Sequence, residues 1–482
     1  MSSMIETVRG MHDMLPGEQR AAAHARTSLE AVITAHGYTP LDLPIIEHRD
    51  LYLRKLGEEL AGKVYEFSFG GRELALRPEW TASVLRAYVA HLQDQPLPLR
   101  LSYVGPVFRY ERPQRHTYRQ FTQIGVELIG GPAPRADAEA LALACAGLDA
   151  AGVTGYKVLV GHVGLIRAIL GSLGLTERAQ GALVWSLEHL RKDGPDAVGH
   201  TLREDVGAPP VGFDLPPGLD EGQATAWLLR TLQAMQIDLS TGTRTLDEVV
   251  ARLLRKLRRH DEQGAIERAL AILARLGTIS GPPAATMPAL AALLEAEGLQ
   301  LDAYAELRAI LDLLSAHGLD PAQVTIDFGI GRGLHYYTGI MFEIDDRSGL
   351  QLCGGGRYDD LVAALGGRSV PAVGFAYGLE RVAAAAPALP PEAQRVALVA
   401  PVADTDYAYA QEVARSLRAH GLIASVDVRG RTLGKNLSDA VRRGVAFVAI
   451  VGADERQSRT LVWRDLVRHD ERRITLEQID GL

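Results

Sequence analysis

The sequence predicts an α+β chain of more than one domain, and three observations carry this. Residues 63–130 and 324–362 are rich in short β-type runs broken by turns, whereas residues 175–315 between them are Ala/Leu-rich and helical in pattern. Strands gathered into blocks and helices into another argue against a continuously alternating wind. Past AAAAPALPPEAQ (383–394), which reads as an interdomain linker, the pattern switches to strict β–α alternation. Finally, 482 residues at 52.0 kDa exceed what one core usually supports.

Each element follows from spacing. Residues 17–36 place Ala22, Ala25, Leu29, Val32, Ile33 and His36 at helical intervals, and Gly37 supplies a stop. YTPLDLPIIE (38–47) reads as a strand carrying Pro40 and Pro44, which suits an edge or interface rather than mid-sheet. Within the helical stretch, Thr245-Leu-Asp-Glu248 has capping-box form and opens an amphipathic helix with Val249, Val250, Leu253, Leu254 and Leu257 on one side. GAPPVGFDLPPG (207–218) and GTISGPPAA (277–285) interrupt it. After the linker come a strand at 396–401, a helix at 406–420, a strand at 422–428, a helix at 433–443 and a strand at 445–452. That βαβαβ order predicts a small parallel or mixed sheet covered by helices.

Composition excludes several classes. At 47% hydrophobic and 23% charged residues the chain reads as an ordinary globular protein. No apolar run approaches membrane-spanning length, and the first twenty residues lack the apolar core of a signal peptide. Cys145 and Cys353 are the two cysteines, with no CxxC pair, which argues against a disulfide framework or a zinc–thiolate site and fits the reducing cytoplasm. A net charge of −8 is not that of a general polyanion binder. Residues 391–482 carry 14 Lys+Arg against 13 Asp+Glu, a net of +1, which leaves −9 on the rest. A neutral tail on an acidic body fits contact with an anion, and equally fits solvated surface charge.

Four stretches carry chemistry. FRYERPQRHTYRQFTQIGVELIG (108–130) gathers Arg109, Arg112, Arg115 and Arg119 around Glu111 and ends in a strand. Period-two spacing puts Phe121, Gln123, Gly125 and Glu127 on one face, so Gln123 and Glu127 point into a common cavity. Arginines beside a turn suit phosphate, whose oxygens match the guanidinium fork; a salt-bridged surface hairpin reads the same way. In LRPEWTASVLRAY (76–88), Glu79 and Thr81 sit at a strand-to-helix junction, with Thr81 or Ser83 placed to cap. A carboxylate there holds an amine or simply serves the helix start. VGFAYGLERV (373–382) leads a strand into a helix bearing Glu380 and Arg381. GRGLHYYTG (331–339) puts an arginine and two tyrosines between strand-like flanks. A P-loop, a metalloprotease HExxH and a nucleophile elbow are all absent, and the glycines of FGIGRG are not followed by a helix.

Taken in order, RGMHDMLP (9–16), LRPE-T, the FRYERPQ/YRQF/QIGVE hairpin, GRGLHYYTG, GGGRYDDL (354–361) and GFAYGLER resemble the histidyl-tRNA synthetases. The resemblance runs from about residue 9 to the end and is weakest over 175–315. It implies a class II synthetase fold: an antiparallel sheet flanked by helices, a helical insertion and a C-terminal α/β anticodon-binding domain. The implied limits are 1–174 and 316–386 for the two parts of the catalytic domain, 175–315 for the insertion, 387–394 for a linker and 395–482 for the anticodon-binding domain. Helix 17–36 with the Pro44 strand resembles motif 1, which implies a homodimer.

The implied reaction has two steps. The carboxylate of histidine attacks the α-phosphate of ATP, and the histidyl group then passes to the 3′ end of tRNA(His). Arg109, Arg332 and Arg381 would act on the carboxylate and phosphates, with Mg²⁺, and Glu111 would lie near adenine. Glu79, Thr81, Gln123, Glu127, Tyr336 and Tyr337 would bind histidine. Arg429, Arg431 and Lys435 would meet tRNA, with Arg442 and Arg443 nearby, and the helix bearing Arg252, Arg255, Lys256, Arg258 and Arg259 would reach the acceptor arm or only solvent.

Three positions depart from the family pattern: Trp80 where glycine is usual, Thr117 where the motif 2 loop has arginine (with Arg115 a substitute), and His335 before the tyrosines where aspartate is usual. Trp80 either narrows the site or packs away from it. Strand alternation puts His335 and Tyr337 on one side and Arg332, Leu334 and Tyr336 on the other. A rival resemblance is the regulatory subunit of ATP phosphoribosyltransferase, which binds histidine without charging tRNA. That subunit normally lacks both the C-terminal domain and the ERPQ/YRQF pattern present here. Another class II synthetase would not carry the tyrosine pair in this context.

Overall fold

The computed structural model describes residues 5–53, 62–112, 116–175, 177–185, 219–234, 250, 254, 259–330, 336–388 and 396–481. The chain divides into two compact units, Met1–Pro387 and Ala388–Leu482.

The first unit is organised by a nine-stranded sheet. Its strands are β1 (Thr39–Pro40), β5 (Leu99–Phe108), β6 (Gln120–Ile129), β7 (Lys157–His162), β8 (Ser280–Gly281), β9 (Val324–Asp327), β10 (Ile340–Asp345), β11 (Gln351–Arg357) and β12 (Ala372–Gly378), in the order β1-β5-β6-β12-β11-β10-β7-β9-β8. From β5 through β7 every pairing is antiparallel, while β1 with β5 and β7 with β9 are parallel. A smaller sheet of β2 (Ile46–His48), β3 (Tyr65–Phe69) and β4 (Arg72–Leu76) stands beside it in the order β2-β4-β3.

Strand alternation divides this unit into two cores. On β6, Ile124, Val126 and Leu128 face the core formed with helices α1 (Pro16–Ala35) and α3 (Arg135–Ala150). On the opposite face, Leu101, Tyr103 and Val107 of β5 join Trp80, Val84, Leu85 and Tyr88 of the segment entering helix α2 (Thr81–His91). The hydrophobic effect thus fixes which face of the sheet Gln123 and Glu127 occupy: the one away from α1.

Helix α1 buries Ala22, Ala25, Leu29 and Ile33, as its spacing predicts, and Gly37 closes it with φ of +81°. The run 38–47 is not one strand. Pro40 belongs to β1 at the edge of the large sheet, opposite Ser102, and Ile46–His48 pairs with β4 in the small sheet. A proline removes a ladder donor, so the run changes sheets across Pro44 instead of continuing. Within GTISGPPAA, Ser280–Gly281 forms β8 on β9 and Pro283 opens the helix Pro283–Ala296. The capping box at 245–248, the turn at 207–218 and the cationic positions 252, 255, 256 and 258 lie outside the described residues.

The expectation for GRGLHYYTG is corrected in part. Its flanks are strands β9 and β10, but Tyr336 and Tyr337 lie in the turn before β10, and residues 331–335 are outside the described ones. The two tyrosines are not on opposite faces: their ring centroids are 4.6 Å apart. A turn does not alternate its side chains, so the period-two rule does not apply there.

The second unit is a mixed sheet in the order β14-β13-β15-β16-β17, with β13 (Val396–Pro401), β14 (Ile423–Val426), β15 (Phe447–Val451), β16 (Thr460–Asp465) and β17 (Asp470–Thr475). β14, β13 and β15 are parallel, as the βαβαβ pattern predicts, and an antiparallel hairpin extends the sheet. Ala397 and Val399 face the core shared with helix Tyr407–Ala419, and Leu398 and Ala400 face that shared with Ala440 of helix Leu433–Arg442. Among the described residues no helix is long and apolar enough to cross a membrane.

Candidate active site

The floor of the site is the outward face of β6. Glu127 lies opposite Leu101 of β5 and Gly374 of β12, and Gln123 opposite Gly105 and Gly378. Three of these four positions are glycines, and at Gly105 the place a Cβ would take is filled by the Trp80 ring and the Arg77 guanidinium. A Cβ at Gly374 would overlap Glu127 Oε2 and come within 2.5 Å of the Tyr358 hydroxyl. The bare backbone there is what admits both groups.

Glu127 is fully buried. Its Oε1 accepts from Thr81 Oγ1 at 2.7 Å and from Tyr103 Oη at 3.1 Å. Its Oε2, Gln123 Oε1 and the Tyr358 hydroxyl have no hydrogen-bond partner among the described residues. Glu127 Oε2 and the Tyr358 hydroxyl both lie beside Gly374, and Gln123 stands four residues along the same face of β6; buried polar atoms are normally paired, so each of the three calls for an explanation. Burial drives the Glu127 carboxyl well above the ordinary carboxylate range; the two hydroxyl donors pull it back, and nearby Glu79 pushes it further up.

Glu79 and Thr81 enter where β4 gives way to α2. Glu79 Oε1 accepts from the Ala82 N–H at 2.9 Å, so it is Glu79 that serves the helix start. Neither Thr81 nor Ser83 caps: Thr81 turns to Glu127, and Ser83 pairs with the Tyr52 hydroxyl at 2.9 Å. Burial raises the Glu79 pKa, opposed by the Ala82 N–H and the Arg109 charge. Trp80, between them in sequence, lies against the face that carries Gln123: its ring stands 2.7 Å from where a Cβ at Gly105, the residue opposite Gln123, would sit. It is wholly buried, stacked on Tyr103 at 4.8 Å with the Arg77 guanidinium 3.5 Å from its ring centre.

Aromatic rings wall the pocket. Tyr358, at the end of β11, lies 5.9 Å from Tyr336 and 6.3 Å from Tyr337, centroid to centroid. Burial keeps the phenols of Tyr336 and Tyr337 neutral, hence both donors and acceptors. Tyr358 was legible within GGGRYDDL as the polar ring closing a glycine-rich strand, but sequence reasoning selected only the tyrosine pair. Tyr103 carried no signal beyond its place on a strand.

The rim holds the cations. Arg109 donates through Nε to Pro78 O at 2.7 Å, and its guanidinium stands 5.4 Å from the Phe121 ring. Glu111 is 3.8 Å from Lys63 Nζ, and its carbonyl accepts from Arg119 Nε at 3.1 Å. Arg119 also reaches the Arg9 carbonyl at 3.1 Å, and His12 stacks on Tyr118 at 4.6 Å, so RGMHDMLP is docked on the motif 2 hairpin. Arg381 is held by three neutral acceptors: His116 O at 3.2 Å, Gln351 O at 3.0 Å and Thr117 Oγ1 at 3.3 Å. Thr117, one of the departures from the family pattern, is thus a hydrogen-bond partner of Arg381. Arg332, His335 and Arg115 lie outside the described residues.

A buried carboxylate with an open oxygen, beside aromatic rings and two arginines, is the geometry on which comparison with known proteins can bear. The model of the histidyl-tRNA synthetases matches residues 10–210 and 223–382, and that of an anticodon binding domain matches 396–481. The chain belongs to the histidyl-tRNA synthetase family. The histidine–tRNA ligase of Methanosarcina acetivorans is 33% identical over 98% of this chain and 96% of its own. That of Methanocaldococcus jannaschii is 30% identical over 99% of both. A solved structure from Bacillus halodurans, described as an ATP phosphoribosyltransferase regulatory subunit/histidyl-tRNA synthetase, superposes with a TM-score of 0.66 at 25% identity, covering 91% of this chain and 97% of that one.

In the second unit, Arg429 and Lys435 are exposed. Arg431 is committed elsewhere: it pairs with Asp427 and Asp439, each at 2.9 Å, and so braces the loop before helix Leu433–Arg442. Arg431 and Arg442 together hold the Asp439 carboxyl at about 2.

Proposed function

We propose that this chain is a histidine–tRNA ligase whose amino-acid pocket is the glycine-lined space above Gly374. The observation that carries it is the set of open buried atoms, Glu127 Oε2, Gln123 Oε1 and the Tyr358 hydroxyl. An imidazole with one donor and one acceptor nitrogen, together with an ammonium, supplies what these atoms lack. Leaving them unpaired costs free energy, so a flat side chain without ring nitrogens is rejected. In this reading Glu79, Thr81, Gln123, Glu127, Tyr336 and Tyr337 bind histidine, with Tyr358 added to the set.

Activation brings two anions together, so the chain's task is positioning and neutralisation. Arg109, tethered at Pro78, bridges the histidine carboxylate and the α-phosphate of ATP. As the carboxylate oxygen forms its bond to that phosphorus, pyrophosphate leaves with the electrons of the broken P–O bond. Arg381 exchanges its three neutral acceptors for distal phosphate oxygens, a trade favoured by charge-assisted bonding. Arg332 is assigned to the α-phosphate and Glu111 to the adenine side. Mg²⁺, if held by the phosphates as is usual for such sites, would supply further charge neutralisation there.

The proposed division of labour gives 1–174 and 316–386 to catalysis, 175–315 to an insertion and 395–482 to tRNA(His), with Arg429 and Lys435 meeting phosphate and Arg431 holding their loop. A homodimer is supported by the apolar side chains on and beside the small sheet that remain exposed: Ile45, Ile46, Phe67 and Phe69. The regulatory-subunit reading is disfavoured by the match of 396–481 to an anticodon binding domain. Histidine-dependent ATP–pyrophosphate exchange by the purified protein tests the proposal; histidine binding without exchange would overturn it. Removal of 391–482 should abolish tRNA charging and leave exchange partly intact.

A further inference from the structure

Trp80 is buried on the face of the sheet that carries the proposed histidine pocket, and gives no hydrogen bond to its open atoms. Its ring lies nearly parallel to Tyr103, at 10° and 4.8 Å. The Arg77 guanidinium packs 3.5 Å from the ring centre, and the indole Nε1 donates to Gly105 O at 3.3 Å. Arg77 is itself buried and anchored, donating to Pro106 O at 2.8 Å and Leu43 O at 2.9 Å. A fixed cation, an indole and a phenol thus form one stack, whose last member ends on Glu127 Oε1. Tyr103 has no slack on the β6 side, because a Cβ at Gly125 would overlap its hydroxyl.

We infer that Trp80 is a positioning residue for histidine binding, acting through Tyr103 to hold Glu127 with Oε2 turned into the pocket. The inference rests on the histidine pocket proposed above. The physical reason is saturation: Thr81 and Tyr103 both donate to Oε1, which leaves Oε2 as the acceptor for substrate. Trp80 sets where the Tyr103 hydroxyl sits. Loosening the stack frees the carboxylate to rotate and spend Oε2 on a neighbour. Trp80 also lies between Glu79 and Thr81 in the chain, so its burial pins the turn from which both reach the pocket.

The test is a double-mutant cycle read in pyrophosphate exchange. Tyr103→Phe keeps the ring and removes the donor; it should raise the histidine KM about tenfold, the usual worth of a hydrogen bond to a charged group, with the ATP KM within about twofold. Trp80→Leu should give the same selective rise, and Trp80→Phe should restore most of the loss. In the Tyr103→Phe background Trp80→Leu should add little, because its route to Glu127 is already cut. A full additive penalty in that background would overturn the inference, as would equal effects on the histidine and ATP KM values. Should Trp80→Leu fail to fold, the Tyr103→Phe and Trp80→Phe results still decide: an unchanged histidine KM for Tyr103→Phe refutes the route. Failure of the wild-type protein to bind histidine in calorimetry would instead refute the pocket itself.

Discussion

Glu127 and Arg381, both assigned to the proposed site, are held in different ways. Glu127 rises from the middle of a strand, is fully buried, and has one oxygen fixed by two hydroxyls. Arg381 sits in the first turn of a short helix, Leu379–Ala385, is partly exposed, and reaches over 260 residues back in sequence to the motif 2 loop at 116–117. The floor keeps buried polar atoms open, whereas Arg381 on the rim gives three of its five N–H donors to neutral protein acceptors. A buried strand cannot rearrange without breaking its ladder, which suits the selectivity for the amino acid proposed for it. A loop contact to neutral carbonyls is cheap to exchange, which suits a nucleotide that enters and leaves at each turnover.

That contrast can be broken in four places. The largest effect is expected for Glu127→Gln, which keeps the shape and removes the charge: kcat/KM for histidine in exchange should fall about 10³-fold, while the ATP KM stays near wild type. At pH values above the raised pKa of Glu127 the same variant should melt higher than wild type. Burial raises the folded-state pKa of Glu127 above its ordinary 4.5, so the unliganded protein keeps the full benefit of the neutral acid below that value and loses stability as pH rises through the raised one. Thermal midpoints measured across pH should therefore diverge in favour of Gln as pH rises; parallel profiles would contradict the burial account.

Arg109→Lys tests the junction between floor and rim. It keeps the charge but loses the fork, and should lower kcat in exchange about 10²-fold. Arg381→Ala should raise the ATP KM about tenfold, the worth of a charged hydrogen bond, without changing histidine affinity measured by calorimetry. A matching loss of histidine affinity would show that floor and rim are one cooperative structure. The smallest effect is expected for Thr117→Ala. Removing one of the three neutral acceptors should lower the ATP KM by no more than about twofold, the scale of a weak neutral hydrogen bond. An increase would mean that Thr117 serves the bound nucleotide instead of restraining the free arginine.

Much of the floor was legible from residue order. Gln123, Gly125 and Glu127 share a face because strands alternate, and Ile124, Val126 and Leu128 identify the other face as core. The helix 17–36 and the three parallel strands after residue 395 follow from spacing alone, since local periodicity decides them. Where the backbone leaves regular geometry, the reading fails: Tyr336 and Tyr337, taken as alternating, pack against each other in a turn. The helix-start role went to Glu79, and not to Thr81 or Ser83, because Thr81 found a buried carboxylate 46 residues away.

By itself, the sequence determined the family, the order of elements and most of the polar residues that meet in the pocket, because motifs and periodicities are properties of neighbours in the chain. Only the tertiary structure decided that Trp80 is interior and braces Tyr103, that Tyr358 completes the ring wall, that Arg431 is tied to two aspartates, and that Arg381 rests on the motif 2 loop. Each of these depends on which segments burial brings together, and on which polar atoms are left open once the backbone ladders are complete.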